Sequence, residues 1–189
     1  MFQFITNPDS QYTIPEQVQM AVESGCQWIQ LNINADDKES VKLAAEICQE
    51  AGVILTVEND FELAKEFGLH GVHMNNSDVT PASLREMLGA EAIIGYRVES
   101  TQSAFLFKGL DIDYIALPRE FSDEKATEFI QAVRDCQIEI PIVLSGDFNE
   151  DNAERLFKTK ASGIAGCDSI LNSTDPISGL KKLLSKLGR

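Results

Sequence analysis

The feature that most constrains this chain is an alternation that runs from end to end. Short apolar runs, mostly without strict every-other-residue polarity, are separated by stretches whose apolar residues recur at helical spacing. The apolar runs are Phe2 to Thr6, Trp28 to Ile33, Val53 to Val57, Gly71 to Met74, Ala92 to Tyr96, Tyr114 to Leu117, Pro141 to Leu144 and Gly163 to Gly166. Runs of this kind suit strands covered on both faces, as in a parallel sheet. Between them, Val41, Leu43, Ala44, Ile47 and Cys48 follow an entry at Asp36-Asp37, and Phe129, Ile130 and Val133 follow one at Ser122-Asp123. Asp and Ser at such entries cap helices, and Gly52, Gly68, Gly89 and Gly109 stand where left-handed C-terminal caps would close them. Eight strand-helix units predict the α/β class and a small, single-domain (β/α)8 barrel of the TIM type over residues 1 to 189. An open doubly wound sheet is the competing architecture. It lacks support at the first strand-helix turn, where Thr6-Asn7-Pro8-Asp9-Ser10 has no GxGxxG spacing.

Composition narrows the partners. The chain is 43% hydrophobic, enough for a sizeable core, and no linker-like or low-complexity segment divides it. Thirty acidic residues against sixteen basic ones leave a net charge of −14, which disfavours nucleic acid and anionic membrane as partners. Lys181, Lys182, Lys186 and Arg189 cluster at the end, on a helical stripe of Leu180, Leu183, Leu184 and Leu187, and read as a solvated helix face. Cys26, Cys48, Cys136 and Cys167 form no CxxC pair and no ligand spacing, so buried reduced thiols are expected rather than disulfides or zinc. Met1 leads directly into a strand-like segment, without a basic segment ahead of an apolar stretch, which leads us to expect a cytoplasmic protein.

In a barrel of this type chemistry sits on the loops after the strands. The polar residues there include Thr6 and Asn7, Gln30, Asn32 and Asn34, Glu58 to Asp60, His73 to Asp78, Arg97 and Glu99, Arg119 and Glu120, Ser145 to Asp147, and Gly166 to Ser169. Most of them carry two readings. His73 is either a hydrogen-bonded structural histidine or a base, while His70 belongs to a surface turn. Arg97 and Arg119 form an anion clamp, or pair with Glu99 and Glu120. Glu58, Asp60, Asp78, Asp147 and Asp168 gather a cation, or are scattered solvated charge. Cys167 has no histidine placed to activate it and reads as a packed thiol.

The ordered sequence resembles the thiamine phosphate synthase and thiazole tautomerase superfamily. The resemblance runs through Phe4-Ile5-Thr6-Asn7, Trp28-Ile29-Gln30-Leu31, Glu62-Leu63-Ala64, Gly71-Val72-His73-Met74 and Asp78. It continues through Leu88-Gly89, Ile93-Ile94-Gly95, Asp113-Tyr114-Ile115 and Pro141-Ile142-Val143 before Gly146. It covers essentially the whole chain and is most specific from Val57 to Gly95. It implies a protein of thiamine biosynthesis that binds a small phosphorylated thiazole or pyrimidine at the C-terminal face of the barrel. Synthases of this family join a pyrimidine diphosphate to a thiazole phosphate with magnesium, whereas the tautomerases move a proton on the thiazole phosphate.

Transferred position by position, the resemblance implies a substrate site of Gln30, Asn32, Asn59, Arg97, Arg119, Gly146 and Gly166, with Asp78 as a ligand of Mg2+. The synthase pattern Gln-x-Arg-x-Lys reads Gln30, Asn32 and Asn34 here, so the amide stays and both cations are gone. Asn-Asp-Arg reads Glu58, Asn59 and Asp60, with a neutral residue at the metal position unless the register shifts by one. The tautomerase base falls at Arg119, whose guanidinium, with a pKa above ~12, is no base at neutral pH. The phosphate cradle reads Gly146-Asp147 and Gly166-Cys167-Asp168-Ser169, with two carboxylates where a phosphate would sit. The expectations are therefore a synthase-like enzyme, a diverged barrel without catalysis, or an enzyme for a different small anionic substrate; self-association into a homo-oligomer is compatible with each.

Overall fold

The computed structural model describes residues 1–34, 37–76 and 78–188. Eight parallel strands close into a barrel in chain order, the eighth pairing with the first. The strands are β1 Phe2–Ile5, β2 Trp28–Leu31, β3 Ile54–Glu58, β4 Gly71–Met74, β5 Ile93–Arg97, β6 Tyr114–Leu117, β7 Ile142–Ser145 and β8 Gly163–Ala165. The helices are α1 Ile14–Ser24, α2 Lys38–Ala51, α3 Phe61–Glu66, α4 Pro81–Leu88, α5 Thr101–Phe105, α6 Asp123–Asp135, α7 Arg155–Thr159, α8 Asp168–Leu171 and α9 Pro176–Leu187. Closure excludes the open doubly wound sheet. No helix among the described residues is long and apolar enough to cross a membrane.

Alternation along each strand sorts side chains between two interiors. In β2, Ile29 and Leu31 join the large apolar cluster between strands and helices, while Trp28 joins Tyr114, Ala116, Val143 and Ala165 inside the barrel. Gln3, Gln30, Thr56 and His73 are buried polar residues of the strands. Tyr114 crosses the barrel and lies against β5, where a Cβ at Gly95 would stand 2.1 Å from its Cζ. The glycine is what lets that ring lie flat across the lumen.

The predicted elements hold with shifted ends. The strand at Trp28 stops at Leu31 rather than Ile33, and the last strand stops at Ala165 rather than Gly166, because the chain there turns into loops. The strand at β5 extends through Arg97. Asp37 caps α2 by accepting the Ser40 N–H at 3.2 Å; Asp36, the other residue of that entry, lies outside the described residues, as does Arg189 of the C-terminal basic cluster. Gly52 closes α2 in the left-handed conformation, φ 67°. Gly109 does not close α5: that helix ends at Phe105 and the chain continues through a turn that buries Phe107 before reaching Gly109. Gly89 closes α4 with an extended ψ of 167° rather than a left-handed helical one. Three of the four thiols are buried, but Cys136 is exposed because it falls at the solvent-facing end of α6.

Candidate functional site

A cavity of ≈ 380 Å³ opens at the C-terminal end of the strands. Its floor rests on a chain of hydrogen bonds inside the barrel. Gln3 Nε2 donates to Gln30 Oε1 at 2.8 Å and to the Tyr114 hydroxyl oxygen at 3.3 Å. The Tyr114 hydroxyl lies 3.0 Å from His73 Nδ1 and 3.5 Å from Gln30 Oε1. The shorter contact assigns the phenol proton to His73 Nδ1, which leaves the imidazole proton on Nε2. Gln30 Nε2 in turn donates to Glu58 Oε2 at 3.2 Å, and the Asn75 amide donates to the other oxygen of the same carboxylate. The Gln30 amide is thus held in one orientation by both of its ends.

The same network sets the electrostatics. Burial, and then the nearby Arg97 charge, push the His73 imidazole down to about 4, with Asn75 partly opposing them, so the ring is neutral at neutral pH. Burial lifts the Tyr114 phenol above its ordinary range, keeping it protonated. The site therefore has a floor of fixed, neutral hydrogen-bonding groups beside a single carboxylate.

Around the rim the charges are paired. Arg97 meets Glu99 at 3.3 Å. Arg119 pairs with Asp168, not with Glu120, and also donates to Gly146 O at 3.4 Å. The hydrogen bond to Asp168 is the main reason its guanidinium is held even more firmly protonated than usual. Asp168 further accepts the Asn7 side-chain amide at 3.2 Å, and Asp147 accepts the Ser169 N–H at 2.8 Å. Cys167 is fully buried and its thiol is pushed far up by that burial, which fits a packed thiol and no nucleophile.

Of the residues singled out from sequence, Gln30, Asn32, Arg97, Arg119, Gly146 and Gly166 all line this cavity. Asn32 is fixed by its backbone, which exchanges two 2.9 Å hydrogen bonds with the Thr6 hydroxyl. Asn59 and Asp78 are not among the lining residues. Asn59 turns the chain out of β3 with φ 58°, a left-handed conformation that asparagine tolerates, and its Oδ1 accepts the Asn75 N–H at 2.7 Å. Asp60, the residue that a one-step register shift would bring to the metal position, caps α3 by accepting the Leu63 N–H at 2.8 Å. Asp78 is exposed on the loop before α4. Asp60 is thus engaged as a cap, neither it nor Asp78 lines the cavity, and among the described residues no three of His, Cys, Asp or Glu gather as a metal group.

Sequence reasoning passed over Gln3 as a site residue and met Tyr114 only as a landmark. The signal available was their period: Gln3 and Tyr114 occupy inward positions of strands whose outward residues are apolar, so each needed a partner in the lumen. Asp9, named from sequence only as part of the first strand-helix turn, also lines the cavity.

The thiamine monophosphate synthase family model matches residues 2–170. The thiamine-phosphate synthase of Bacteroides fragilis is 29% identical over 199 aligned positions, covering 97% of this chain and 98% of that one. Among solved structures, the thiamine phosphate pyrophosphorylase from Pyrococcus furiosus superposes with a TM-score of 0.84 at 22% identity, covering 99% of this chain and 95% of that one. The orotidine 5'-phosphate decarboxylase from Pyrococcus horikoshii reaches 0.78 at 15% identity over 100% of both chains, a likeness of fold alone. Matched along nearly its whole length, and built as an eightfold barrel with its cavity at the strand C-termini, the chain belongs to the thiamine monophosphate synthase family.

Proposed function

We propose that the protein serves thiamine biosynthesis by holding one heteroaromatic building block, a thiazole or a pyrimidine, in the cavity at the C-terminal face of the barrel; in the family's usual form that ligand is phosphorylated. The observation that carries this reading is the floor. Gln30, Glu58, His73 and Asn75 converge there as oriented donors and acceptors, the arrangement that reads the edge of a polar ring. Asn32 lines the wall, Arg97 and Arg119 flank the mouth, and Gly146 and Gly166 let backbone approach at the far end. Asn59 supports the floor from behind by holding the Asn75 backbone.

Calorimetric titration of the protein with the thiazole and pyrimidine building blocks, phosphorylated and not, tests the proposal. At least one is expected to bind with 1:1 stoichiometry, and Gln30→Ala to weaken it by ~10-fold or more, since the Glu58 carboxylate then loses a donor. Absence of binding by all of them, with the fold intact by circular dichroism, would sink it.

A second reading, that the barrel binds without joining two substrates, is favoured by the paired state of Arg97 and Arg119 and by the engagement of Asp60 as a helix cap. A coupling assay with pyrimidine diphosphate, thiazole phosphate and magnesium decides it. Turnover at a synthase rate contradicts this second reading and leaves the site assignment standing.

A further inference from the structure

Three carboxylates line the cavity, and their surroundings differ. Asp168 is paired with Arg119, and Asp9 is exposed in the first loop. Glu58, the last residue of β3, is half-buried and forms no ion pair among the described residues. Arg97, whose charge reaches His73 on the neighbouring strand, is paired with Glu99 instead. The partners of Glu58 are neutral amides: Oε2 accepts from Gln30 Nε2 at 3.2 Å, and Oε1 accepts from Asn75. A charge drawn partly out of water and met only by neutral groups costs free energy, which a further donor would offset. Each carboxylate oxygen has two acceptor positions, so each keeps one after its amide is counted.

This carboxylate polarises the whole floor. Because it can only accept, Gln30 turns Nε2 to it and Oε1 to Gln3. Further along, Tyr114 gives its phenol proton to His73 Nδ1, 3.0 Å away, and the imidazole carries its own proton on Nε2. Glu58 and His73 are paired residues in the β3–β4 register, and both line the cavity. The floor therefore sets a fixed acceptor next to a fixed donor. The two building blocks answer this pattern differently. A thiazole ring has a nitrogen that accepts and no N–H to give. An aminopyrimidine sets an amine N–H beside a ring nitrogen, a donor next to an acceptor, which is the complement of the floor.

We propose that Glu58 is a specificity-determining residue of this cavity: its carboxylate accepts the exocyclic amine N–H of an aminopyrimidine, while His73 Nε2–H donates to the adjacent ring nitrogen. The inference rests on the reading of the cavity as a site for a thiamine building block, and names the group by which one of those blocks is recognised.

Calorimetry on the full chain with three ring systems decides it: the hydroxymethyl-aminopyrimidine, the same ring with hydrogen in place of the amine, and the hydroxyethylthiazole, each as the alcohol and as its phosphate ester. Wild type is expected to bind the aminopyrimidine ~10-fold or more tightly than the ring without the amine, because a hydrogen bond to a charged group is lost. Glu58→Gln is expected to reduce that preference to ~3-fold or less by weakening the aminopyrimidine, with the thiazole changed by less than ~3-fold. Glu58→Asp, which keeps the charge, is expected to keep the aminopyrimidine preferred. If Glu58→Gln loses its fold by circular dichroism, Glu58→Ala takes its place in the comparison. Equal binding of the two pyrimidines by wild type, binding of the thiazole alone, a preference undiminished in Glu58→Gln, or a loss shared equally by the thiazole overturns this inference and leaves the proposed function intact. Failure of every ligand removes the proposed function and this inference with it.

Discussion

Burial beneath the cavity floor, together with the Arg97 charge, holds the His73 imidazole at about 4, below the ordinary value of 6.5. Between those two values the unfolded chain takes up a proton that the folded chain refuses. Stability from this residue is therefore complete above the unfolded value and declines as the pH falls towards the folded one, by an amount on the order of 3 kcal/mol. His73→Gln is expected to abolish that component: urea unfolding should show wild type losing more stability than the variant between about pH 6.5 and pH 4. Equal losses in the two proteins would contradict the neutral assignment. Little of this was legible in the sequence, where His73 lies in a short apolar run and reads as a structural histidine ahead of a base, with no partner in view. The deciding neighbours, Tyr114 and Gln3, lie 41 and 70 positions away along the chain, and only closure of the barrel brings them together. Arg119 is a similar case, since its carboxylate partner proved to be Asp168 across the barrel mouth rather than the adjacent Glu120.

Helix starts, by contrast, could be read locally because capping needs only a side chain and an amide three residues on. Thr13, Asp37, Thr80, Ser122 and Asp175 each accept such an N–H. Asp60 belongs with them, which separates two accounts of the same residue. As a cap, it tolerates an amide: Asp60→Asn is expected to leave the melting temperature nearly unchanged, while Asp60→Ala costs about 1 kcal/mol. Thermal melts of both variants check this, and a large loss of stability in Asp60→Asn would require a role for its charge that capping does not supply. Strand ends were less legible than helix starts. Residues such as Ile33 and Gly166 continue an apolar or small run in the sequence, and what ends the strand is the turn of the backbone, at φ 96° in Gly166, which composition does not display.

The eightfold architecture was the most legible level of all, because it is repeated: a single ambiguous segment matters little when seven others share its pattern. Closure was legible only as a count, since the contact that completes the barrel joins β1 to β8 across the full length of the chain. The cavity followed from closure, whereas the pairing of its charges did not. That pairing depends on which loops face one another over the mouth, and no periodicity encodes it. The surplus of acidic residues is spread over the whole chain and does not define the site, whose chemistry comes from amides held in fixed orientation.

The ring of Trp28 meets the ring of Tyr114 edge-on at 5.1 Å, and these residues come from strands on opposite sides of the lumen, β2 and β6. Because the chain has one tryptophan, this contact gives the molecule a single intrinsic lamp at its centre. Its emission should stay constant until the circle of strands opens, so that in denaturant it changes together with the helical circular dichroism signal; two separate transitions would mean that the barrel comes apart in stages. The neighbouring phenol is bonded to His73 in the cavity floor, so the same lamp sits one hydrogen bond from any ring that lands there.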